Sequence, residues 1–227
     1  MRMLLALAAL CLLASATGWA GDLITMPTPD MRAENEIWGT YYHVWLSPPG
    51  GGEDEMGLVN VSVGLTPQLE ADLVYGSGGG LSFTTLNLAL QASVREGWKA
   101  TAGVVNLFSD DYFRSEEPSP YLMASKRFVV GEQKEGKRTY ALEPFLAWGS
   151  QSHRGWFGGV TAELSAQTRV VLANYPDPWG DHRAVFGIWH TLPKDHPNWA
   201  LGLGVWGGSP WLAVGTPGGW VPWPRLP

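Results

Sequence analysis

The segment Ser150–His153 places two serine hydroxyls beside an imidazole, and this is the sequence's closest approach to a catalytic motif. A serine acts as a nucleophile when a histidine accepts its proton and a third group orients that histidine. Neighbours within one loop rarely reach that geometry, and no carboxylate accompanies them at a recognisable spacing. We therefore predict that the chain has no catalytic residue, and we keep a hydrolase that uses His153 as an alternative.

The other polar motifs are weaker. The five histidines are scattered, and no pair has the spacing of zinc ligands. The glycine-rich stretches 50–52 and 76–80 lack the lysine of a phosphate-binding loop, and acidic runs such as 53–55 are typical of solvated loops. We expect no metal and no cofactor. The histidines are His43, His153, His182, His190 and His196.

Charged residues inside alternating apolar–polar segments form a second candidate cluster. If the polar faces of these segments enclose a lumen, burial requires that the carboxylates find basic partners. Two functions remain open: a salt-bridge network that fills the lumen, or a charge-lined path that selects what passes. The lumen-lining candidates are Glu70, Asp72, Lys126, Arg127, Glu143, Glu163, Arg169 and Arg183.

Composition limits the fold and the partners. The chain has 227 residues and a formal net charge of −6, and 45% of it is hydrophobic while only 16% is charged. Low charge with many aromatic residues argues against disorder, and the acidic balance without a basic run argues against nucleic acid as a partner. The 29 glycines and 13 tryptophans are unusual for a helical protein.

The first twenty residues have the pattern of a secretory signal peptide. Met1–Met3 carries a positive charge, Leu4–Ala16 is apolar, and small residues near Ala20 form a cleavage site, with Ala14–Ala16 as a second candidate. Cleavage there removes Cys11, the only cysteine, so the mature chain folds without disulfides. We divide the chain into a signal peptide (1–20), a β-barrel (21–216) and a proline-rich tail (217–227).

The elements that must position the charged residues are strands. Val59, Val61 and Val63 alternate with polar or small residues, and the same period of two recurs along the chain. Many segments have the 9–11 residues that a tilted strand needs to cross a bilayer. The predicted strands are Ile37–Leu46, Leu58–Thr66, Leu69–Tyr75, Thr85–Val94, Trp98–Phe108, Tyr121–Val130, Tyr140–Trp148, Trp156–Leu164, Thr168–Tyr175, Arg183–Leu192, Trp199–Trp206 and Trp211–Thr216.

Three features favour a barrel in lipid. The Val59–Leu65 and Leu86–Leu90 apolar faces carry no charge, so we predict that they face outward to lipid. Odd-numbered connections are on average longer than even-numbered ones, except for Gly131–Arg138, as in barrels with short periplasmic turns. Tryptophans near strand ends predict interfacial girdles, with ordinary core tryptophans or a sugar-stacking platform as the alternatives. They are Trp38, Trp45, Trp98, Trp148, Trp156, Trp199, Trp206 and Trp211.

Four segments resemble the YjbH-like family of bacterial outer-membrane barrels, which are encoded with exopolysaccharide genes. Leu23–Pro29 is similar to the family's barrel entrance, and Val63–Glu70 to its recurrent first hairpin. Tyr121–Phe128 and Trp156–Val160 resemble later strands. The resemblance implies an envelope role linked to polysaccharide and no catalytic residue. The proline-rich C-terminus departs from the aromatic ending of many outer-membrane barrels.

The sequence therefore predicts an all-β protein, a single antiparallel outer-membrane β-barrel of about twelve strands. The expected partners are outer-membrane lipid and polysaccharide or its export machinery, with a non-enzymatic role in export or small-solute passage. The alternatives are a secreted β-sandwich that binds carbohydrate through exposed tryptophans and an outer-membrane lipid hydrolase.

Overall fold

A computed structural model describes most of the chain between residues 28 and 218. The described residues are 28–29, 31–32, 34–46, 54–78, 81–109, 118–133, 138–165, 167–176, 182–192 and 199–218. The predicted signal peptide (1–20), the segment 21–27 and residues 219–227 of the predicted tail lie outside them. So do His196 and the acidic segment 110–117.

The described chain consists almost entirely of antiparallel strands, with one short 3₁₀ helix at Gln151–His153. No helix among the described residues is long and apolar enough to cross a membrane. The strands are β1 (Ile37–Leu46), β2 (Asp54–Thr66), β3 (Leu69–Gly78), β4 (Leu81–Arg95), β5 (Trp98–Ser109), β6 (Ser119–Lys126), β7 (Phe128–Gln133), β8 (Arg138–Gly149), β9 (Gly155–Glu163), β10 (Thr168–Pro176), β11 (His182–Thr191), β12 (Ala200–Trp206) and β13 (Ser209–Gly218).

The strands close into a barrel. Each strand pairs with its sequence neighbours except that β6 and β7 do not pair with each other; β6 pairs with β5 and β8, and β1 pairs with β13. β6 and β7 continue one strand, because Ser125 opposite Phe145 and Phe128 opposite Leu142 keep the same register across Arg127. The barrel therefore has twelve strands, as predicted. A closed wall of this kind excludes the two-sheet sandwich that we kept as an alternative.

The predicted strands are all present, and most of them are longer than the alternation indicated. β2 begins at Asp54, and β4 spans Leu81–Arg95. Half of the exceptional connection Gly131–Arg138 is strand, since β7 continues to Gln133 and β8 begins at Arg138; residues 134–137 lie outside the described residues. β13 reaches Gly218, two residues into the predicted tail; its Pro217 lies near the strand end, where a missing N–H costs little.

The even strand number places the start of β1 and the end of β13 at the same end of the barrel, which we call the termini end. The opposite end is called the loop end. Two-residue turns join β2 to β3 and β4 to β5 at the termini end. The second of these turns has positive φ at both Glu96 and Gly97, the conformation of a tight hairpin that matches strand twist.

The outer wall of the barrel is apolar, and the two apolar faces predicted from alternation point outward. Val59 and Leu65 on β2 are 42% and 43% exposed, and Leu90 on β4 is exposed as well. Their alternate neighbours Ser62 and Asn87 are buried inside the barrel. Outward side chains on other strands include Leu73, Leu122, Leu146, Leu201, Leu203 and Leu212. This wall is the reverse of a water-soluble barrel's surface.

Candidate functional site: the barrel lumen

The lumen is filled by side chains. Inward residues on strands all around the wall, such as Val74, Thr85 and Glu143, have almost no accessible surface. A water-filled channel would leave such side chains accessible, so this conformation is packed where they lie. The packing divides the lumen into an aromatic half toward the loop end and a polar half toward the termini end.

The aromatic half contains two clusters. In the first, the ring centroids of Tyr42 and Trp211 lie 5.8 Å apart, and those of Trp189 and Trp211 lie 5.9 Å apart. In the second, the rings of Phe157 and Tyr175 lie 5.3 Å apart. Offset and edge-on contacts at these distances are favourable beyond the area they bury. The second cluster also includes Tyr121 and Phe145.

Glycines on neighbouring strands make room for the large rings. Gly204 lies directly opposite Trp211, and a Cβ atom at Gly204 would come within 2.5 Å of the indole. Gly187 on the next strand would place a Cβ atom 2.8 Å from the same ring. The glycines of β11 and β12 are thus required by the close approach of an aromatic side chain.

This packing corrects part of the predicted tryptophan girdles. Trp206 and Trp211 are buried inside the aromatic half, and Trp38 lies on the inward face of β1 at the termini end. Since the alternation phase decides the face, position near a strand end was not sufficient to place these rings. Trp98, Trp148, Trp156 and Trp199 are exposed on the outer wall, and Trp45 shares the outward face of β1.

The polar half is centred on a buried carboxylate. Glu143 is 2% exposed, and its Oε1 lies 2.9 Å from Nζ of Lys99. The hydroxyl of Ser125 donates to the same oxygen at 2.7 Å. Thus β5, β6 and β8 are joined across the lumen by one fully hydrogen-bonded ion pair, which a carboxylate requires at this depth.

A second ion-pair group lies closer to the termini end. Arg127 donates from Nη1 to Glu163 Oε1 at 2.8 Å and makes a second bond to Oε2. Arg169 donates to Glu163 Oε1 at 3.2 Å. The two-point Arg127 contact is the strong geometry for this pair of groups. Arg127 is also the residue at which β6 passes into β7, so its side chain anchors that junction.

The segment before β1 occupies the mouth of the polar half. Pro29 is fully buried, and its carbonyl accepts bonds from Gln91 Nε2 at 2.9 Å and Lys99 Nζ at 3.3 Å. The backbone N–H of Arg32 donates to the Glu70 carboxylate. The Arg32 guanidinium stacks 4.4 Å above the Trp38 ring. Lys99 therefore ties this segment to the buried Glu143 pair.

The remaining predicted carboxylate also faces the lumen, but two predicted basic residues do not join the cluster. Asp72 is inward on β3 and hydrogen bonds to Ser62 on β2. Lys126 is on the outer wall, against the rings of Trp98 and Phe128 at 5.0 and 5.1 Å, because even-numbered residues of β6 point outward. Arg183 is inward but sits at the loop end, far from the four carboxylates.

Three residues of the lumen and the loop end were not predicted from the sequence: Lys99, Arg32 and Ser119. Lys99 alternates with the inward Thr101, so the phase of β5 was the available signal. Arg32 precedes the first strand, where no period exists to place it. Ser119 lies 34 residues before His153 in the chain, and the antiparallel pairing of β6 with β8 brings the two together.

His153 is buried at the loop end, and its serine partner is Ser119. The Ser119 hydroxyl donates to the Ser150 carbonyl and lies 3.3 Å from His153 Nδ1. With its one proton on Ser150, the hydroxyl accepts from Nδ1–H, and it also accepts from the His153 backbone N–H at 3.2 Å. Burial lowers the pKa of His153 to about 4.

This arrangement is suited to holding the loop and poorly suited to acyl transfer. The proton of Ser119 points away from the imidazole, and both side chains are withdrawn from solvent. A nucleophile needs its base to accept its proton and needs access for the substrate. Among the described residues, no group of three or more His, Cys, Asp or Glu side chains could hold a metal ion.

Comparisons with known proteins add no relative. No protein-family model matches the chain, and no curated protein or solved structure matches it.

Proposed function

We propose that the chain is an outer-membrane β-barrel with a non-catalytic role in the cell envelope. The observation that carries this proposal is the closed twelve-stranded wall with exposed apolar side chains outside and charged groups inside. In water, that outer wall would be a large unpaired apolar surface. In a bilayer, it is the required surface, since the backbone is satisfied within the barrel.

The packed lumen shapes the proposed role. A sugar chain does not fit through the aromatic half in this conformation, so we assign the barrel a supporting part beside an exopolysaccharide export machinery. This assignment rests on the resemblance to YjbH-like barrels. Small-solute passage is the second candidate; the ion pairs of the polar half favour it, and it requires the aromatic half to open.

One pair of substitutions on β2 tests the membrane location. Val59→Arg and Leu65→Arg change residues of equal exposure on the same outward face, one at mid-strand and one beside the β2–β3 turn. In a bilayer, an arginine costs about 2–4 kcal/mol at the midplane and about 0–1 kcal/mol near the interface. We expect Val59→Arg to lower the amount of folded protein in the outer-membrane fraction strongly and Leu65→Arg to change it little.

A soluble barrel would respond differently, because both side chains would already face water. Equal tolerance of the two substitutions, with protein in the soluble fraction, contradicts the proposal. Ion conductance of planar bilayers with the reconstituted barrel then separates the two candidate roles. A supporting barrel leaves the conductance at the level of the empty bilayer, whereas a solute channel raises it.

A further inference from the structure

The outer wall carries two adjoining clefts across strands β4, β5, β6 and β8. The larger has a volume of about 810 Å³, and the second, of about 440 Å³, continues it toward the loop end. They share Leu90, Ala102, Leu122 and Trp148, so they form one groove. We call it the outer groove.

The register explains the shape of the outer groove. Ala92, Ala100 and Ala124 are cross-strand neighbours, and their small side chains form its floor near the termini end. Leu122 opposite Trp148, and Trp148 opposite Trp156, form a tall wall beside them. Small side chains beside large ones on an otherwise convex wall leave the apolar outer groove.

The ammonium group of Lys126 lies at the termini end of this groove. Lys126 follows Ala124 by two residues on the same outward face of β6, and Trp98 holds the same position beyond Ala100. The Lys126 ammonium contacts the Trp98 and Phe128 rings. No described carboxylate lies within ion-pair distance of it. The charge is therefore available to an anion located between the outer wall and the interface.

The dimensions fit one leaflet. From Lys126 to Pro120, β6 advances about 20 Å along the groove, somewhat more than half of a hydrocarbon core about 30 Å thick. Aromatic and basic residues together are typical of the level where lipid headgroups begin. The connections at the termini end are on average shorter than those at the loop end, so the termini end is the periplasmic end under the proposed function and the groove opens to the inner leaflet.

We propose that the outer groove binds one glycerophospholipid, with its phosphodiester at Lys126 and acyl chain over Ala100, Ala102 and Ala124. The inference rests on the proposed function. The same phosphate chemistry occurs in lipid A, but the position of Lys126 at the termini end favours the phospholipid of the periplasmic leaflet.

The test is native mass spectrometry of the detergent-purified full-length barrel titrated with phosphatidylglycerol, diacylglycerol or lipid A. We expect one phosphatidylglycerol per barrel, with diacylglycerol, which lacks the phosphate, bound more weakly. Lys126→Gln should reduce phosphatidylglycerol binding roughly fivefold. Ala124→Leu fills the floor of the groove and should reduce it as well. Arg154→Gln, a charge change on an exposed residue at the loop end and away from Lys126, should leave it unchanged.

Equal phosphatidylglycerol binding by the wild-type barrel and Lys126→Gln would overturn the site, as would a preference for lipid A. Folding of each variant is checked by its heat-modifiable mobility on gels. The fractionation of Val59→Arg and Leu65→Arg tests the membrane location separately. A barrel that passes that test and binds no phosphatidylglycerol leaves the proposed function standing and removes only this site.

Discussion

The aromatic half and the polar half of the lumen are built on the same strands with the same period, yet different interactions fill them: ring packing in one and ion pairs in the other. Trp211, Trp189 and Tyr42 fill their half by shape, with glycines opposite the rings. Glu143 and Glu163 fill theirs by charge, each bonded to basic side chains. Shape packing depends on volume alone, whereas ionic packing depends on both partners being present.

The largest expected effect comes from the aromatic half. Trp211→Ala removes a buried ring that contacts Tyr42 and Trp189, and we expect a loss of about 3–5 kcal/mol in the free energy of unfolding. Urea titration of the barrel in detergent, followed by tryptophan fluorescence, measures it. Trp156→Ala on the outer wall is the control and should cost much less. Equal losses of unfolding free energy in the two variants would show that the Trp211 ring is no more tightly packed than a ring on the outer wall.

The next effect tests whether the polar half depends on complete pairs. Glu143→Leu leaves Lys99 without its buried carboxylate and should cost about 3 kcal/mol in the same titration. The double variant Lys99→Met/Glu143→Leu removes both charges and should recover most of that loss. A double variant that is as unstable as the single one would mean that the contact of Lys99 with Pro29 matters more than the ion pair.

At the loop end, the buried His153 should make the free energy of unfolding depend on pH. The pKa of His153 is lowered by burial to about 4, below that of the exposed imidazole in the unfolded chain. The unfolded state therefore binds more protons between these values, and stability falls as pH falls. From pH 7.5 to pH 5 we expect a loss of about 2 kcal/mol. His153→Phe should flatten this part of the curve.

The smallest effect belongs to the partly exposed end of the polar half. Arg127→Gln breaks the two-point contact with Glu163, but solvent screening and the remaining Arg169 limit the cost to about 1 kcal/mol. The cost should shrink further in high salt, which separates it from the buried Glu143 pair. A loss as large as that of Glu143→Leu would contradict this ranking of the two ion pairs.

Alternation along the chain was enough to predict the strands, their number and the outward apolar face. The reason is that apolar and polar residues alternate within each strand's own sequence. It also indicated that Glu143 and Glu163 sit opposite the apolar face. It could not decide whether Lys126 and Trp211 face inward or outward, since shifting the alternation by one residue exchanges the two faces of a strand. It did not pair Ser119 with His153, because both lie outside the predicted strands and alternation does not give the register of β6 against β8.

The seam between β1 and β13 has a consequence for how the protein reaches this state. It joins Ile37 to Gly218, so the first strand, already paired with β2, finds its second partner only when the last strand has been made. Closing so long a chain segment has a high entropic cost, and contacts of this separation form slowly. Until the seam forms, both terminal strands offer open edges that can pair with other chains. Folding therefore cannot finish during synthesis, and an unfinished barrel needs protection from self-association until its final strand arrives.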